Sequence, residues 1–294
     1  MLDFRRPDML PAMPKKLRIA IVGPGRLGSA LAFELDRAGY PIAEIIVRKR
    51  SRQTAALARK LRAQILLQNS GGIQANVIWF CVPDREIARA ARVLASEGKW
   101  KGRTAFHSSG ALPSGELGAL KKLGASVASV HPLMTFVRGA LPSLAGVPFA
   151  LEGDAAALRV ARRIVRDLGG DPFQIRAQNK AAYHAWGAFT SPLLVALLVA
   201  AEQVAGAAGL STSAARKKML PILQQTIQNY GRLGPTGAFS GPLVRGDAEV
   251  VRKHLKVLGT MRDAKEVYTA LAQIAISHLP VKRRAELRKA LTAR

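Results

Sequence analysis

One cysteine, Cys81, is all this 294-residue sequence has, so no disulfide can join two of its own side chains. No Cys/His spacing matches a zinc site either, so metal chemistry is not expected, and the thiol usage suits a reducing cytoplasm. Acidic residues are scarce: 19 Asp and Glu stand against 45 Lys and Arg, a formal net charge of +26. That balance favours anionic partners such as phosphorylated cofactors, acidic metabolites or nucleic acid, although a general solubility device accounts for it equally well. The cations are spread through most segments. Their densest cluster, with Lys282, Arg283, Arg284, Arg288 and Lys289, is where nucleic acid would bind, the least favoured of these partners.

Other absences narrow the field further. There is no G-x-S-x-G elbow of a serine hydrolase, no internal repeat and no low-complexity tract. Residues 1–16 lack an apolar core of signal-peptide length and read as a flexible lead-in. The stretch 181–201 carries no formal charge, but His184, Trp186, Gly187, Thr190, Ser191 and Pro192 interrupt its first half. What remains is too short to span a bilayer, so no membrane is expected and the stretch reads as a buried core or dimer-interface helix.

What is present is enough apolar material, 49% of the residues, for two domains. Short β-like runs at 17–23, 44–48, 77–82, 103–107, 126–130, 148–151 and 172–175 alternate with helical patterns at 26–38, 51–62, 84–96, 114–123 and 154–168. That alternation predicts an α/β domain over 17–176 with a doubly wound, mainly parallel sheet. Beyond it the β-like runs stop, and 179–208, 211–230, 247–258, 262–278 and 281–292 read as helices of an all-α domain over 177–294. The glycine-rich segment 231–246 reads as a loop and not a helix.

Directly after the first run comes Gly23-Pro24-Gly25-Arg26-Leu27-Gly28, followed by a helical pattern through Leu31 and Leu35. The spacing is mechanical: Gly23 for the tight turn, Gly25 for close approach of a pyrophosphate, Gly28 for helix-to-strand packing, with the amides at Arg26 and Leu27 opening the helix. Strand, motif and helix in this order predict a dinucleotide site of the Rossmann type. Its subtype depends on the end of the second run, where a carboxylate ordinarily takes the ribose 2′-hydroxyl. Here the chain offers Arg48, Lys49, Arg50, Ser51 and Arg52 instead, which suits a 2′-phosphate and hence NADP(H). Val82, Pro83 and Ser108, at the ends of two further runs, should border the nicotinamide, and Ser109 the substrate. The plainer alternatives are that Pro83 and Asp84 only stop a strand and cap a helix, and that the two serines only cap a turn. Cys81, within an apolar run, reads as inert filler.

Five motifs then follow in order: 23–28, His107 to Gly110, His131-Pro132-Leu133-Met134-Thr135-Phe136, Lys180 to His184, and Ser240-Gly241-Pro242-Leu243-Val244-Arg245-Gly246-Asp247. Together they make the chain resemble the Rossmann-like proteins that carry the domain of unknown function numbered 2520, from Leu17 to about Leu279. The resemblance implies an NADP-binding domain followed by a helical dimerisation domain like that of 6-phosphogluconate dehydrogenases, with pyrroline-carboxylate reductases and deazaflavin-dependent NADP reductases as distant relatives. It supplies no substrate.

Within that frame His131 sits in a context similar to the His-Pro-Met stretch of prephenate dehydrogenases. Its imidazole could bind a substrate carbonyl or exchange a proton, or it could brace a domain junction. Lys180, Tyr183 and His184, at i, i+3 and i+4, share one helix face that would look into an interdomain cleft. Lysine or tyrosine there could protonate an alkoxide or amine, as a lysine does in 6-phosphogluconate dehydrogenases, but the Lys-x-x-x-Asn spacing of that group is missing. The plainer alternative packs Tyr183 and His184 and leaves Lys180 in solvent. Arg245 could clamp a substrate carboxylate or the cofactor phosphate, or pair at a dimer seam, and Asp247 should cap the helix after it. The expectation is a homodimeric NADP(H)-dependent oxidoreductase acting on a small carbonyl, imine or 2-oxo/hydroxy acid, acidic substrates included. Its alternative is an NADP(H)-binding sensor or scaffold.

Overall fold

The computed structural model describes residues 17–137, 139 and 141–292, so the lead-in expected over 1–16 lies outside the described residues. The alternating apolar runs become strands β1 (Ile19–Val22), β2 (Ile42–Val47), β3 (Gln64–Leu67), β4 (Val77–Phe80), β5 (Thr104–His107), β6 (Ser126–Pro132), β7 (Pro148–Gly153) and β8 (Asp171–Gln174). They form one sheet in the order β3-β2-β1-β4-β5-β6-β7-β8. Strands β1 to β6 pair parallel, the direction reverses between β6 and β7, and β7 pairs parallel with β8. All four residues of both β1 and β4 are buried, as expected where helices cover both faces of a parallel sheet. The covering helices are α1 (Arg26–Arg37), α2 (Arg52–Leu61), α3 (Asp84–Ala95), the single turn α4 (Gly118–Lys121) and α5 (Ala155–Asp167). Because β2 and β4 flank β1 on opposite sides, the strand order turns at β1/β4, where such sheets open a crevice beyond the strands' carboxyl ends.

Three local differences from the sequence reading have physical causes. Strand β3 is absent from the expected runs because it is a four-residue edge strand, opening on an exposed Gln64 with only Leu66 buried. The helix expected over 114–123 divides into a 3-10 turn, Ser114–Leu117, and α4, with Gly115 and Gly118 weakening the α pattern. Strand β6 runs on to Pro132 because β7 pairs antiparallel along it, so His131 lies within the strand, opposite Ala150. That register is pinned at its other end by Gly153 opposite Ala128 (φ 143°), where a Cβ would sit 2.4 Å from the Val127 carbonyl oxygen.

The chain divides into two compact units, the first ending at Gly187 and the second beginning at Ala188. Past the sheet come α6 (Lys180–Thr190), α7 (Pro192–Ala207), α8 (Thr212–Ala238), α9 (Pro242–Arg245), α10 (Ala248–Leu258), α11 (Arg262–His278) and α12 (Arg284–Thr292). The one helix expected over 179–208 breaks at Ser191 (φ −131°, ψ −80°), after which Pro192 opens α7 without an amide to donate. The stretch Ala177–Ala207 is long and apolar enough to cross a membrane, judged by length and composition. The break leaves α7 with 16 residues, about 24 Å at 1.5 Å per residue, short of a hydrocarbon core of about 30 Å. Glu202 of α7 also holds an ion pair to Arg216 of α8 at 2.8 Å.

The loop expected over 231–246 is corrected: α8 continues to Ala238, bent at Gly234 (φ 68°), and α9 follows after a short gap. The glycines there read as helix breakers, yet of the three within α8 only Gly234 leaves the helical region, Gly241 and Gly246 doing so on either side of α9, and Pro235 restarts the helix where a missing amide costs nothing. The core of this unit is made by α10, α11 and α12 through Val251, Ala272, Ile276, Leu287 and Leu291. None of α7 is buried, and of α8 only Ala215 is, so within one chain α7 is not the core helix anticipated for this stretch.

Candidate active site

The glycine loop caps the carboxyl end of β1, and its three glycines are not equivalent. A Cβ on Gly23 would meet Val82 Cγ1 at 2.5 Å, and one on Gly28 would meet the Gly23 carbonyl oxygen at 2.6 Å, so close packing of loop, helix and β4 excludes side chains at both. A Cβ on Gly25 would meet nothing within 4 Å, and its φ of −73° is open to any residue. Nothing in the fold therefore requires glycine at 25. Helix α1 begins at the next residue with no side-chain cap and no acid in its first turn, leaving its leading amides to an outside acceptor. A pyrophosphate fits both features, with the Gly25 backbone as the surface of approach and the Arg26, Leu27 and Gly28 amides as donors.

At the end of β2, Arg48, Lys49 and Arg50 are exposed, Arg48 reaching Glu86 of α3 at 3.6 Å. The acid of β2 itself, Glu44, is buried and accepts the Gln74 amide at 2.9 Å, which leaves guanidinium groups at the strand's end where a ribose diol would want a carboxylate. Ser51 caps α2: its hydroxyl accepts the Thr54 amide at 3.1 Å while its own amide donates to Thr54 Oγ1 at 2.9 Å. At the end of β4, Val82 is half-buried and Pro83 exposed. Burial pushes the neighbouring Cys81 thiol up to about 12, which leaves it inert as expected. Asp84 does not cap α3. Pro83 holds the capping position, and the Asp84 carboxylate instead accepts the Ser109 hydroxyl at 2.8 Å.

Beyond β5 and β6 lies a second cluster. Ser108 accepts the Trp79 indole N–H at 2.8 Å. The Ser109 hydroxyl, besides donating to Asp84, accepts the amides of Ala111 at 3.2 Å and Leu112 at 2.9 Å, so it is consumed in bracing the turn and has no proton for a substrate. His107, buried, donates through Nε2 to the Pro113 carbonyl at 3.0 Å and accepts the Ser109 amide at Nδ1 at 3.1 Å, which fixes one neutral tautomer.

Helix α6 runs past this turn. The alternative that left Lys180 in solvent is corrected: its side chain is 1% exposed, with Nζ donating to the Ser109 carbonyl at 2.8 Å and to the Ser129 hydroxyl. One turn on, at i+3 and i+4, Tyr183 is buried and His184 exposed. Tyr183 Oη lies 2.7 Å from His131 Nδ1 with the rings edge to face at 5.5 Å, and the His184 ring stands 6.4 Å from that of His131. Gly110 fits between them only because it has no side chain, since a Cβ there would come within 2.7 Å of His184 Cδ2 and 2.9 Å of His131 Nε2.

Burial, then the Lys180 charge, hold both His131 and His107 down to about 4, and burial pushes the Tyr183 phenol up to about 12. Burial lowers Lys180 to about 8, opposed by the carboxylates of Glu152 and Asp84. The structure thus brings His131, Lys180, Tyr183, His184 and Ser109 together. Arg245 stands exposed in the second unit as the last residue of α9, and Asp247 caps α10 as expected, accepting the Val250 amide at 3.2 Å. Ser129 went unnoticed in the sequence, its one signal being a hydroxyl within the apolar run of β6.

Two domain models match the chain, a Rossmann-like domain over residues 6–132 and a domain of unknown function, DUF2520, over 147–275. The chain is a Rossmann-like protein carrying the DUF2520 domain. Several solved structures share this DUF2520 protein's fold. A protein from Bacteroides fragilis assigned as an NADP oxidoreductase is 19% identical and superposes with a TM-score of 0.73, covering 88% of this chain and 97% of its own. A protein from Thermotoga maritima is 24% identical at a TM-score of 0.70, with 93% and 98% covered. The imine reductase from Myxococcus stipitatus, solved with NADP+, is 16% identical at 0.64, with 92% and 99% covered. At these identities the likeness establishes the fold. No curated protein matches the sequence.

Proposed function

We propose that the protein is an NADP(H)-dependent oxidoreductase acting on a small carbonyl, imine or 2-oxo/hydroxy acid. The observation that carries this reading is Gly25, a glycine the fold does not need, placed at an uncapped helix start at the turn in strand order. The fold shared with a B. fragilis protein assigned as an NADP oxidoreductase and with an imine reductase solved with NADP+ supports it. When bound, the nicotinamide supplies or accepts the hydride. The chain's own groups do the rest: the α1 amides take the pyrophosphate, and Arg48 and Arg50 take the 2′-phosphate in forked, charge-assisted bonds. The Tyr183 hydroxyl donates to His131 Nδ1, which leaves the Nε2–H of the uncharged ring to bind the substrate's oxygen or nitrogen and present a proton to it.

Two measurements test this. Titration should give NADPH at least tenfold tighter binding than NADH, a preference erased in Arg48→Ala/Arg50→Ala, whereas equal or tighter NADH binding refutes the 2′-phosphate assignment. Steady NADPH oxidation should appear with some member of a carbonyl and imine panel, and binding without turnover on any of them favours a nucleotide-sensing role.

The second unit supports a homodimer. Helices α7 and α8 expose Leu193, Val195, Val199, Ile222, Ile227 and Tyr230, between 49% and 67% accessible, and a groove of about 740 Å³ opens between α7, α10 and α11. An apolar surface of this extent is what a second copy would cover. Light scattering at micromolar concentration should give twice the chain mass, and the monomer mass would dispose of the dimer.

A further inference from the structure

Lys180 is an expensive residue in its place. An ammonium taken out of water is ordinarily repaid by a carboxylate in contact. Among the described residues none lies within ion-pair distance of Nζ: the Glu152 carboxylate is held by the Ser114 amide and hydroxyl at 2.6 and 2.8 Å, and that of Asp84 by the Ser109 hydroxyl. The charge rests on two neutral acceptors, the Ser109 carbonyl and the Ser129 hydroxyl. Those acceptors do not depend on it, because the Ser129 hydroxyl itself lies 3.1 Å from the Ser109 carbonyl and can donate to it. Removing the amine would leave both satisfied, so the fold gains nothing from the cation.

Its position suggests what does gain. Ser109 is followed by Gly110, the bare backbone on which the His131 and His184 rings pack, and the ammonium lies close enough to the rings of His107, from β5, and His131, from β6, for its charge to oppose their protonation. The charged groups facing Lys180 from the remaining elements are Asp84 of α3 and Glu152 of β7. We propose that Lys180 is a positioning residue whose charge, seated on the Ser109 carbonyl and the Ser129 hydroxyl beside Gly110, keeps His131 Nδ1 as the acceptor for the Tyr183 hydroxyl. The catalytic meaning of this tie rests on the oxidoreductase reading. The tie itself does not, and it can be read with no cofactor or substrate present.

The experiment is a histidine-ring NMR titration of the full chain, with the His131 signal identified by its loss in His131→Gln. In Lys180→Met, His131 should titrate higher than in the parent by on the order of one pH unit, since a unit charge has been removed from its surroundings. In Lys180→Arg, which restores the charge, the midpoint should return towards the parent value. Lys180→Met should also melt at a higher temperature than the parent. In Ser129→Ala the lysine loses one acceptor of its charged form, so its own midpoint should fall further. A His131 midpoint unmoved in Lys180→Met, a Lys180→Met chain that melts lower or fails to fold, or a lysine midpoint unmoved in Ser129→Ala each overturns the proposal. None of these outcomes bears on whether NADPH binds.

Discussion

Gly25→Val should weaken NADPH binding at least a hundredfold, about 2.7 kcal/mol, while leaving the melting temperature of the protein alone within a few degrees. The backbone at 25 is extended (φ −73°, ψ −159°) and a Cβ there touches nothing, so the folded chain accepts the side chain; reduced freedom of the unfolded chain even favours it slightly. The isopropyl group would instead occupy the surface on which a pyrophosphate must rest to reach the α1 amides. Gly28→Ala, by contrast, should lose stability, because its Cβ would lie 2.6 Å from the Gly23 carbonyl oxygen and 2.9 Å from Cys81 Cβ. Calorimetric titration beside thermal melts separates the two effects. Unchanged affinity in Gly25→Val would remove the dinucleotide site and, with it, the enzymatic reading.

Acid should unfold the protein earlier than its carboxylates alone would dictate. His107 and His131 are held down from 6.5 to about 4. Between those values the unfolded chain binds protons that the folded chain refuses, so the free energy of unfolding falls as the pH drops through this window. Each full shift corresponds to roughly 3 kcal/mol. At the alkaline end Lys180, lowered from 10.5 to about 8, acts in the other direction: the unfolded chain keeps its proton longer, so stability contributed by this group rises between pH 8 and 10. Urea unfolding at half-unit intervals from pH 4 to 10 should therefore trace a steep acid limb and a rising alkaline one. A flat profile from 6.5 to 4.5 would show that both rings take up protons in the folded state at no cost.

The dinucleotide half of the site was legible because its determinants are contiguous. A four-residue apolar strand, three glycines at fixed spacing and a helix start all fall within Ile19 to Gly28, and the basic run that replaces an acid follows in Arg48 and Arg50. The candidate substrate half was legible only as residue types. Lys180, Tyr183 and His184 could be placed on one helix face by spacing, but burial is decided by what the face meets, here the ends of β5 and β6 some 50 to 70 residues earlier in the chain. Ser109 misled for a related reason. In the sequence it is a free hydroxyl at a strand end, whereas in the fold Asp84, 25 residues away, and two nearby amides use it completely. The bent course of α8 through Gly231, Gly234 and Gly237 was hidden by counting glycines without knowing which would take a positive φ.

The reversal between β6 and β7 carries a mechanical consequence. Side chains along a strand alternate between faces, so a slip of one residue in this pairing would carry the His131 imidazole to the opposite side of the sheet, away from the phenol of Tyr183. The anchor against that slip is Gly153, opposite Ala128 and three pairs along the ladder from His131. The aim of a candidate catalytic ring is thus fixed by the absence of a methyl group on the neighbouring strand, three pairs away.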